Sequence, residues 1–263
     1  MGHDLKKDTC HYSLIGCLDY MRARELQRKL AERVLPADQD VLLLLEHPPA
    51  YTLGGLRGSE ANMLASRESL IRQGSAVINV DRGGDITFHG PGQLVGYPIL
   101  NLAKLGGGIR NYLRSLEDVL ILTLESFGVS AERIDGYTGV WVKGEKVAAI
   151  GVKVTSKRIT QHGFALIVDT DLSYFNRIVP CGIKDKAVTT LAGIICRAVD
   201  PADVATILVE AFGTVFGKEM IEIAPDEMLP DLQSNRFLAS PWSPSAASVP
   251  RWTSRCPPCK DNL

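Results

Sequence analysis

The chain lacks a long apolar run and lacks an excess of charge of either sign. Its 263 residues carry 29 basic and 30 acidic side chains, too even a balance to hold nucleic acid through phosphate contacts or to anchor at an anionic membrane. No stretch approaches the roughly 20 apolar residues that span a bilayer. Met1–Asp8 has the features of neither a signal peptide nor an arginine-rich transit peptide. We therefore expect a cytoplasmic protein with no nucleic-acid or membrane partner.

A disulfide framework and a phosphate-binding loop are also lacking. The six cysteines are too unevenly spaced for a framework in a chain of this length. Cys256 and Cys259 have the spacing of half a zinc site or of a redox pair, but no second Cys or His pair lies near them, so a tail with two exposed thiols is the simpler interpretation. No Gly-Lys-Ser/Thr sequence follows the glycine-rich stretch described below. We expect no metal ion and no cofactor.

Helical and strand patterns are mixed along the chain. Apolar periodicity predicts helices from Asp19 to near Pro36 and from Ile109 to Phe127, and Asp200 followed by Pro201 predicts the start of a third. Apolar and β-branched runs predict strands at 41–45, 76–80, 94–100 and 163–168, and a short extended segment at 51–54. A two-residue turn at 144–145 predicts a hairpin between 139–143 and 146–154. This mixture predicts an α+β fold with a mixed β-sheet flanked by helices.

The composition changes past about Pro225. Prolines there alternate with Ser and Ala, and the apolar periodicity is lost. We therefore predict one domain over residues 1–225 and a Pro/Ser-rich, flexible C-terminal tail over residues 226–263.

The most unusual stretch is Asp81–Gln93, with the sequence DRGGDITFHGPGQ. Gly83 and Gly84 allow positive φ and a close backbone approach, and Arg82, Thr87 and His89 supply hydrogen-bond donors. These residue types fit a binding site, but they also fit a simple glycine-rich turn, and the composition does not decide between the two.

Cys181, Lys146 and His162 are candidates for chemistry. Cys181 lies between Pro180 and Gly182 and is either a nucleophile or a buried structural thiol; a nearby cation would favour its thiolate. Lys146 opens an apolar run and is either solvated or a desolvated amine suited to proton transfer. For His162, a hydrogen-bonded structural role at a strand start is the simpler interpretation.

Together, four runs resemble the octanoyltransferases of protein lipoylation. They are Arg82–Gln93 (RGGDITFHGPGQ), Gly144–Gly151 (GEKVAAIG), His162–Leu166 (HGFAL) and Pro180–Ile183 (PCGI). The likeness covers roughly residues 12 to 220. Thr138 replaces a proline that often precedes Gly-Val-Trp in the family, a difference that we expect to matter little, and the tail has no counterpart. The resemblance implies the fold of the biotin- and lipoate-protein ligases.

The resemblance also implies the site. Cys181 would be the acyl-thioester nucleophile, and Lys146 would favour its thiolate and act as base and then acid. Backbone N–H groups near Gly182 would be oxyanion donors. The acyl pocket would comprise Arg82, Gly83, Gly84, Asp85, Ile86, Thr87, Phe88, His89, Ala149, Ile150, Gly151, Gly163, Phe164 and Ala165.

The implied reaction is a ping-pong transfer of an octanoyl group, the first step of endogenous lipoate synthesis. The donor would be octanoyl-acyl carrier protein, and the acceptor a lysine of a lipoyl domain, such as glycine cleavage H protein or 2-oxoacid dehydrogenase E2. Because both partners would be acidic, basic patches are expected, with Lys104, Arg110 and Arg114 as candidates. An ATP-dependent lipoate ligase and a non-catalytic binding protein are the alternatives. We expect a monomer, in the cytoplasm or in a mitochondrial or plastid matrix.

Overall fold

The computed structural model describes residues 8–37, 39–55, 59–183 and 185–228. The strands are β1 (Thr9–Cys17), β2 (Asp40–Glu46), β3 (Ala50–Leu53), β4 (Ala76–Asn79), β5 (Thr87–His89), β6 (Gln93–Ile99), β7 (Glu132–Ile134), β8 (Tyr137–Val142), β9 (Glu145–Val154), β10 (Thr160–Ile167) and β11 (Glu219–Glu222). The α-helices are α1 (Tyr20–Ala37), α2 (Arg67–Arg72), α3 (Leu102–Leu105), α4 (Gly108–Glu125), α5 (Leu191–Ile195), α6 (Pro201–Phe216) and α7 (Pro225–Met228). Short 3-10 helices occupy Ser59–Asn62, Leu172–Arg177 and Pro180–Gly182. Among these described helices, none is both long and apolar enough to cross a membrane.

The strands form an eight-stranded mixed sheet and a three-stranded sheet. The order in the large sheet is β11-β1-β2-β6-β10-β9-β8-β7. Strands β11, β1 and β2 are parallel, and the other neighbours pair antiparallel. In the small sheet, β3 is parallel to β4 and antiparallel to β5. The predicted α+β class with a mixed sheet and flanking helices is confirmed.

Strand β2 is buried on both faces because helices cover both sides of the large sheet. Leu42 and Leu44 belong to the cluster that includes the apolar side chains of α4 and α6, whereas Leu43 and Leu45 pack with those of α1. A fully buried leucine contributes about 2 kcal/mol to stability. This two-sided burial explains why the sequence shows a continuous apolar run at 41–45 rather than an alternating pattern.

The predicted hairpin of β8 and β9 is confirmed, but its turn lies one residue earlier than predicted. The turn residues are Lys143 and Gly144, with φ of 50° and 81°. A two-residue turn of this type needs positive φ at both positions, so Gly144 takes the second position and Lys143 adopts the strained conformation. Strand β9 then pairs with β10, with Gly151 opposite Gly163.

Four strands were not predicted from the sequence: β1, β5, β7 and β11. Strand β5 lies inside the glycine-rich stretch, and β7 and β11 are short strands at the two edges of the large sheet. The ammonium of Lys218, just before β11, contacts Asp8 at 2.5 Å and Asp40 at 2.9 Å. This ion cluster ties β11 to the starts of β1 and β2.

Helix α7 spans the predicted boundary at residue 225, and the division into a domain and a tail stays a prediction. Met228 in α7 is 9% exposed and packs with the apolar side chains of α1. The rest of the predicted tail, including Cys256 and Cys259, lies outside the described residues.

Candidate active site

Cys181 lies at the centre of a short 3-10 turn in a left-handed conformation, with φ 57° and ψ 17°. This conformation costs a non-glycine residue about 1–2 kcal/mol. Backbone hydrogen bonds hold the turn: the N–H of Cys181 donates to Ile86 O at 2.9 Å, and that of Gly182 donates to Val179 O at 3.0 Å. A strained residue held in this way presents its side chain at a fixed angle, which is a common feature of functional sites.

Lys146 reaches the thiol from the start of β9. Its Nζ lies 3.3 Å from Cys181 Sγ and 3.3 Å from the carbonyl oxygen of Thr138, and 4.7 Å from the ring centre of Trp141. The residue is 5% exposed. Its side chain is therefore desolvated, and the alternative interpretation of the sequence, a solvated lysine, is not observed. The departure from the family at Thr138 leaves this contact in place, because the contact uses the backbone carbonyl.

Both side chains border a cavity of about 350 Å³. The predicted pocket residues that line it are Arg82, Gly84, Asp85, Thr87, His89, Ala149, Ile150, Gly151, Gly163, Phe164 and Ala165. Lining residues that were not predicted are Tyr20, Val95, Tyr97, Gly136, Tyr137, Thr138, His162 and Ile183. The wall is mainly apolar around β9 and β10 and more polar at Tyr20, Tyr97 and His162.

Three predicted pocket residues do not line the cavity and lie behind its wall: Gly83, Ile86 and Phe88. Because side chains alternate along a strand, β5 turns Thr87 and His89 to the cavity and Phe88 away from it. The Phe88 ring stacks on Tyr174 at a centroid distance of 4.4 Å, and Ile86 is fully buried in the same cluster. The N–H of Gly83 donates to Val152 O on β9 at 2.9 Å. The expectation that Phe88 faces an acyl chain is therefore corrected to a supporting position.

The backbone N–H groups near Gly182 are already engaged in hydrogen bonds, one to Ile86 and the others to residues that directly precede or begin their own turn. Besides those of Cys181 and Gly182, the N–H of Ile183 donates to Pro180 O at 3.0 Å. The structure therefore does not support the expectation that these groups serve as oxyanion donors.

Glycines let three backbone segments meet around Arg82. The guanidinium donates to Thr52 O and Oγ1, both at 2.9 Å, and burial lowers the pKa of Arg82. A Cβ on Gly54 would lie 2.1 Å from Gly84 O, and a Cβ on Gly151 would lie 2.9 Å from Gly83 O. Both distances are shorter than real contacts, so only glycine fits at these two positions.

Comparison with known proteins identifies the family. The model of the lipoyl protein ligase A/B catalytic domain matches residues 19–213. The chain is 42% identical to an octanoyltransferase from Caldicellulosiruptor saccharolyticus, over 85% of this chain and 94% of the relative. It is 48% identical to one from Nostoc punctiforme, over 81% of this chain and 90% of the relative. The chain belongs to the octanoyltransferase family.

Solved structures show that this octanoyltransferase family member shares its fold with lipoate-protein ligases. A lipoate protein ligase from T. acidophilum with bound lipoic acid superposes with a TM-score of 0.66 at 15% identity, covering 84% of this chain and 91% of the other. A lipoate-protein ligase A bound with ATP gives 0.66 at 14% identity, covering 84% and 90%. The fold implied by the resemblance is confirmed.

Buried histidines and tyrosines line the polar part of the octanoyltransferase cavity or lie directly behind it. His47 donates from Nδ1 to Leu18 O at 2.6 Å and accepts at Nε2 from the Tyr97 hydroxyl at 2.7 Å. His162 donates from Nε2 to Asp81 at 3.1 Å and accepts at Nδ1 from Tyr20 at 3.5 Å. Each arrangement suits a neutral imidazole. Burial lowers the pKa of His47 to about 4 and that of His162 to about 4.

These two histidines predict that the protein loses stability in mild acid. An unfolded histidine titrates at about 6.5, so below that pH the unfolded state binds more protons than the folded state. Each histidine therefore removes up to about 3 kcal/mol from the free energy of unfolding as the pH falls from about 6.5 to about 4. Urea unfolding at pH 7.5, 6.5 and 5.5 measures the loss, and a His47→Asn variant should show a shallower dependence. Equal unfolding free energies at all three pH values would contradict this assignment.

Glu117 is a further buried residue behind the site, and no motif in the sequence marks it. It lies on α4 and is 1% exposed. Its carboxylate accepts from the N–H of Gly139 at 3.1 Å, from Arg114 at 2.7 Å and from Arg133 at 2.9 Å. It thereby fixes the segment that carries the Thr138 carbonyl. Arg114, predicted as a docking residue, is engaged in this network, and the proposed docking patch stays a prediction.

Proposed function

We propose that this protein transfers an octanoyl group from octanoyl-acyl carrier protein to the lysine side chain of a lipoyl domain, through a thioester on Cys181. The observation that carries the proposal is the 3.3 Å contact between Lys146 Nζ and Cys181 Sγ at the edge of a largely apolar cavity. The octanoyltransferase relatives support the octanoyl group, and the match to the lipoyl protein ligase A/B catalytic domain supports the role in lipoylation. The contact between the thiol and the lysine supports the covalent route.

In the first half-reaction, the thiolate of Cys181 attacks the carbonyl carbon of the donor thioester. The ammonium of Lys146 stabilises the thiolate before attack, because opposite charges attract strongly in a desolvated site. The bond between the carbonyl carbon and the carrier's sulfur then breaks, and Lys146 gives its proton to the departing thiolate. The products are octanoyl-Cys181 and the free carrier thiol.

In the second half-reaction, the neutral amine of the acceptor lysine attacks the octanoyl-Cys181 thioester. Lys146, now a neutral amine, takes the proton that the attacking nitrogen loses. The bond between the carbonyl carbon and Sγ breaks, which restores the thiolate beside an ammonium. A thioester is converted into an amide, so this step is downhill and consumes no ATP.

The cavity supplies binding energy for the acyl chain. Burying the seven carbons beyond the carbonyl contributes about 5–6 kcal/mol, at about 0.8 kcal/mol per methylene. This energy is available in the acyl-enzyme as well as in the donor complex, so it can hold the intermediate until the acceptor arrives.

Trapping the intermediate tests the proposal. The protein is incubated with octanoyl-acyl carrier protein, without ATP or acceptor, and its intact mass and peptide map are measured. We expect an octanoyl adduct on Cys181 that disappears when a lipoyl domain is added. Acceptor octanoylation that requires ATP and free octanoate would favour the ligase alternative. Stable binding of the carrier without acyl transfer would favour the binding-protein alternative.

A further inference from the structure

The direction that an acyl chain takes from Cys181 follows from the space around the thiol. Among the described residues, Cys181 borders the cavity of about 350 Å³ and a second one of about 10 Å³. The small cavity, bordered by Phe88, Phe175 and Val188, is no larger than a single water site. A chain attached to Sγ therefore has to run into the large cavity, along β9 and β10.

The distance available in that direction matches eight carbons. Ala149 and Ala165, which pair across β9 and β10, border both cavities at the thiol end. Further along, Gly151 pairs with Gly163 and Val152 with His162. A strand rises about 3.3 Å per residue, so Val152 lies about 10 Å beyond Ala149 along β9. An extended octanoyl chain, with seven carbon–carbon bonds of about 1.5 Å, is about 9 Å long.

His162 stands at the end of this path and is held on both sides. Its backbone is left-handed, with φ 57°, and its N–H donates to Gln27 Oε1 at 2.7 Å. The imidazole is fixed between the Tyr20 hydroxyl at 3.5 Å and Asp81 at 3.1 Å. Asp81 is itself held by Arg24 at 3.3 Å and Lys153 at 2.5 Å.

A second space begins on the other side of the imidazole. This space, the outer cleft, has a volume of about 260 Å³ and lies between α1 and the ends of β9 and β10; its lining residues are Met21, Arg24, Glu25, Gln27, Arg28, Asp81, Lys153, Gln161 and His162. Of the described residues, His162 alone borders both this outer cleft and the large cavity. A chain longer than eight carbons would press its methyl end against a hydrogen-bonded ring, and displacing the ring would break its bonds to Tyr20 and Asp81.

We propose that His162 is the specificity-determining residue that limits the acyl chain to about eight carbons. This inference rests on the proposed function, since it concerns the acyl group carried by Cys181. Removing the imidazole joins the large cavity to the outer cleft and lets a longer acyl chain pass between Tyr20 and Asp81.

The test compares acylation rates of Cys181 by acyl-carrier proteins bearing 6 to 14 carbons, read by intact mass. Glycine suits the left-handed backbone, so His162→Gly opens the passage without strain. We expect its rate ratio for dodecanoyl over octanoyl to rise at least tenfold above that of the wild type. His162→Asn, which tolerates the same backbone but keeps a shorter polar side chain, should give an intermediate ratio.

Two further variants make the result specific. His11→Asn changes a histidine of β1 that contacts Gln39 and borders neither the large cavity nor the outer cleft, so its ratio should equal that of the wild type. Asp81→Ala removes the outer anchor of His162 and should raise the ratio in the same direction; it decides the question if His162→Gly does not fold. Unchanged ratios in folded His162→Gly, or in Asp81→Ala when the glycine variant is unfolded, would overturn the inference. Absence of an octanoyl adduct on the wild type would instead overturn the proposed function.

Discussion

A Cys181→Ser protein is expected to lose at least about 10³-fold in octanoyl transfer while it keeps its fold. Serine is close to cysteine in volume, but its hydroxyl is far harder to ionise than a thiol. The nearby Lys146, 3.3 Å from the sulfur, is not enough to deprotonate that hydroxyl, so the nucleophilic anion does not form. The measurement is kcat/KM with octanoyl-acyl carrier protein and a lipoyl domain, together with the intact mass of the enzyme after exposure to the donor.

Cys17→Ser is the matched control, because Cys17 is an exposed free thiol on β1. It should transfer octanoyl groups at the wild-type rate. A Cys181→Ser enzyme that keeps more than a tenth of the wild-type activity would show that the covalent route is not used. Thermal unfolding of both variants checks that any loss is not caused by misfolding.

Lys146→Met is expected to lower kcat/KM by about 10²–10⁴-fold. Methionine keeps an unbranched apolar stem beside Trp141 but removes both the charge that stabilises the thiolate and the proton that the leaving thiol takes up. Alkylation of Cys181 by iodoacetamide at neutral pH should slow as well, because the reactive species is the thiolate.

Lys146→Arg separates the two roles of the lysine. Arginine keeps the positive charge but does not give up its proton. We expect alkylation of Cys181 to stay near the wild-type rate while octanoyl transfer stays low. Lys157→Met, at an exposed turn, is the control and should change neither rate. If Lys146→Arg transferred octanoyl groups normally, Lys146 would act through its charge alone.

The elements that the sequence predicts well are those whose signals are local. Asp200 accepts the N–H of Ala202 at 2.9 Å, and Pro201 begins α6, as the capping pattern predicts. The hairpin of β8 and β9 is likewise specified by its own turn. Strands β1 and β11 were missed because their partners are distant in sequence: Thr9 pairs with Glu219, and a buried lysine completes the junction.

The residues of the candidate site also fall into two groups: those that the sequence marks and those whose roles depend on the fold. The resemblance named Cys181 and Lys146, but residue patterns alone left each of them open, since nothing local shows that side chains 35 positions apart meet. Glu117 and Gln27 have the appearance of ordinary polar residues on amphipathic helices. Their roles depend on which backbone N–H groups the fold brings to them, Gly139 and His162 respectively, and this information is absent from helical periodicity.

The backbone contacts around Arg82 have a consequence for how this family can diverge. Gly54 and Gly151 belong to segments far apart in the chain, yet each is pressed against the carbonyl of a neighbouring glycine in the Arg82 stretch. A Cβ at either position would require a compensating shift in another segment, so we expect a single substitution at Gly54 or Gly151 to destabilise the fold. The glycines of the Arg82–Gln93 and Gly144–Gly151 runs are therefore constrained by the contacts between backbones, independently of the chemistry of the acyl donor or acceptor. Descendants that changed their acyl donor or acceptor protein would be expected to keep them.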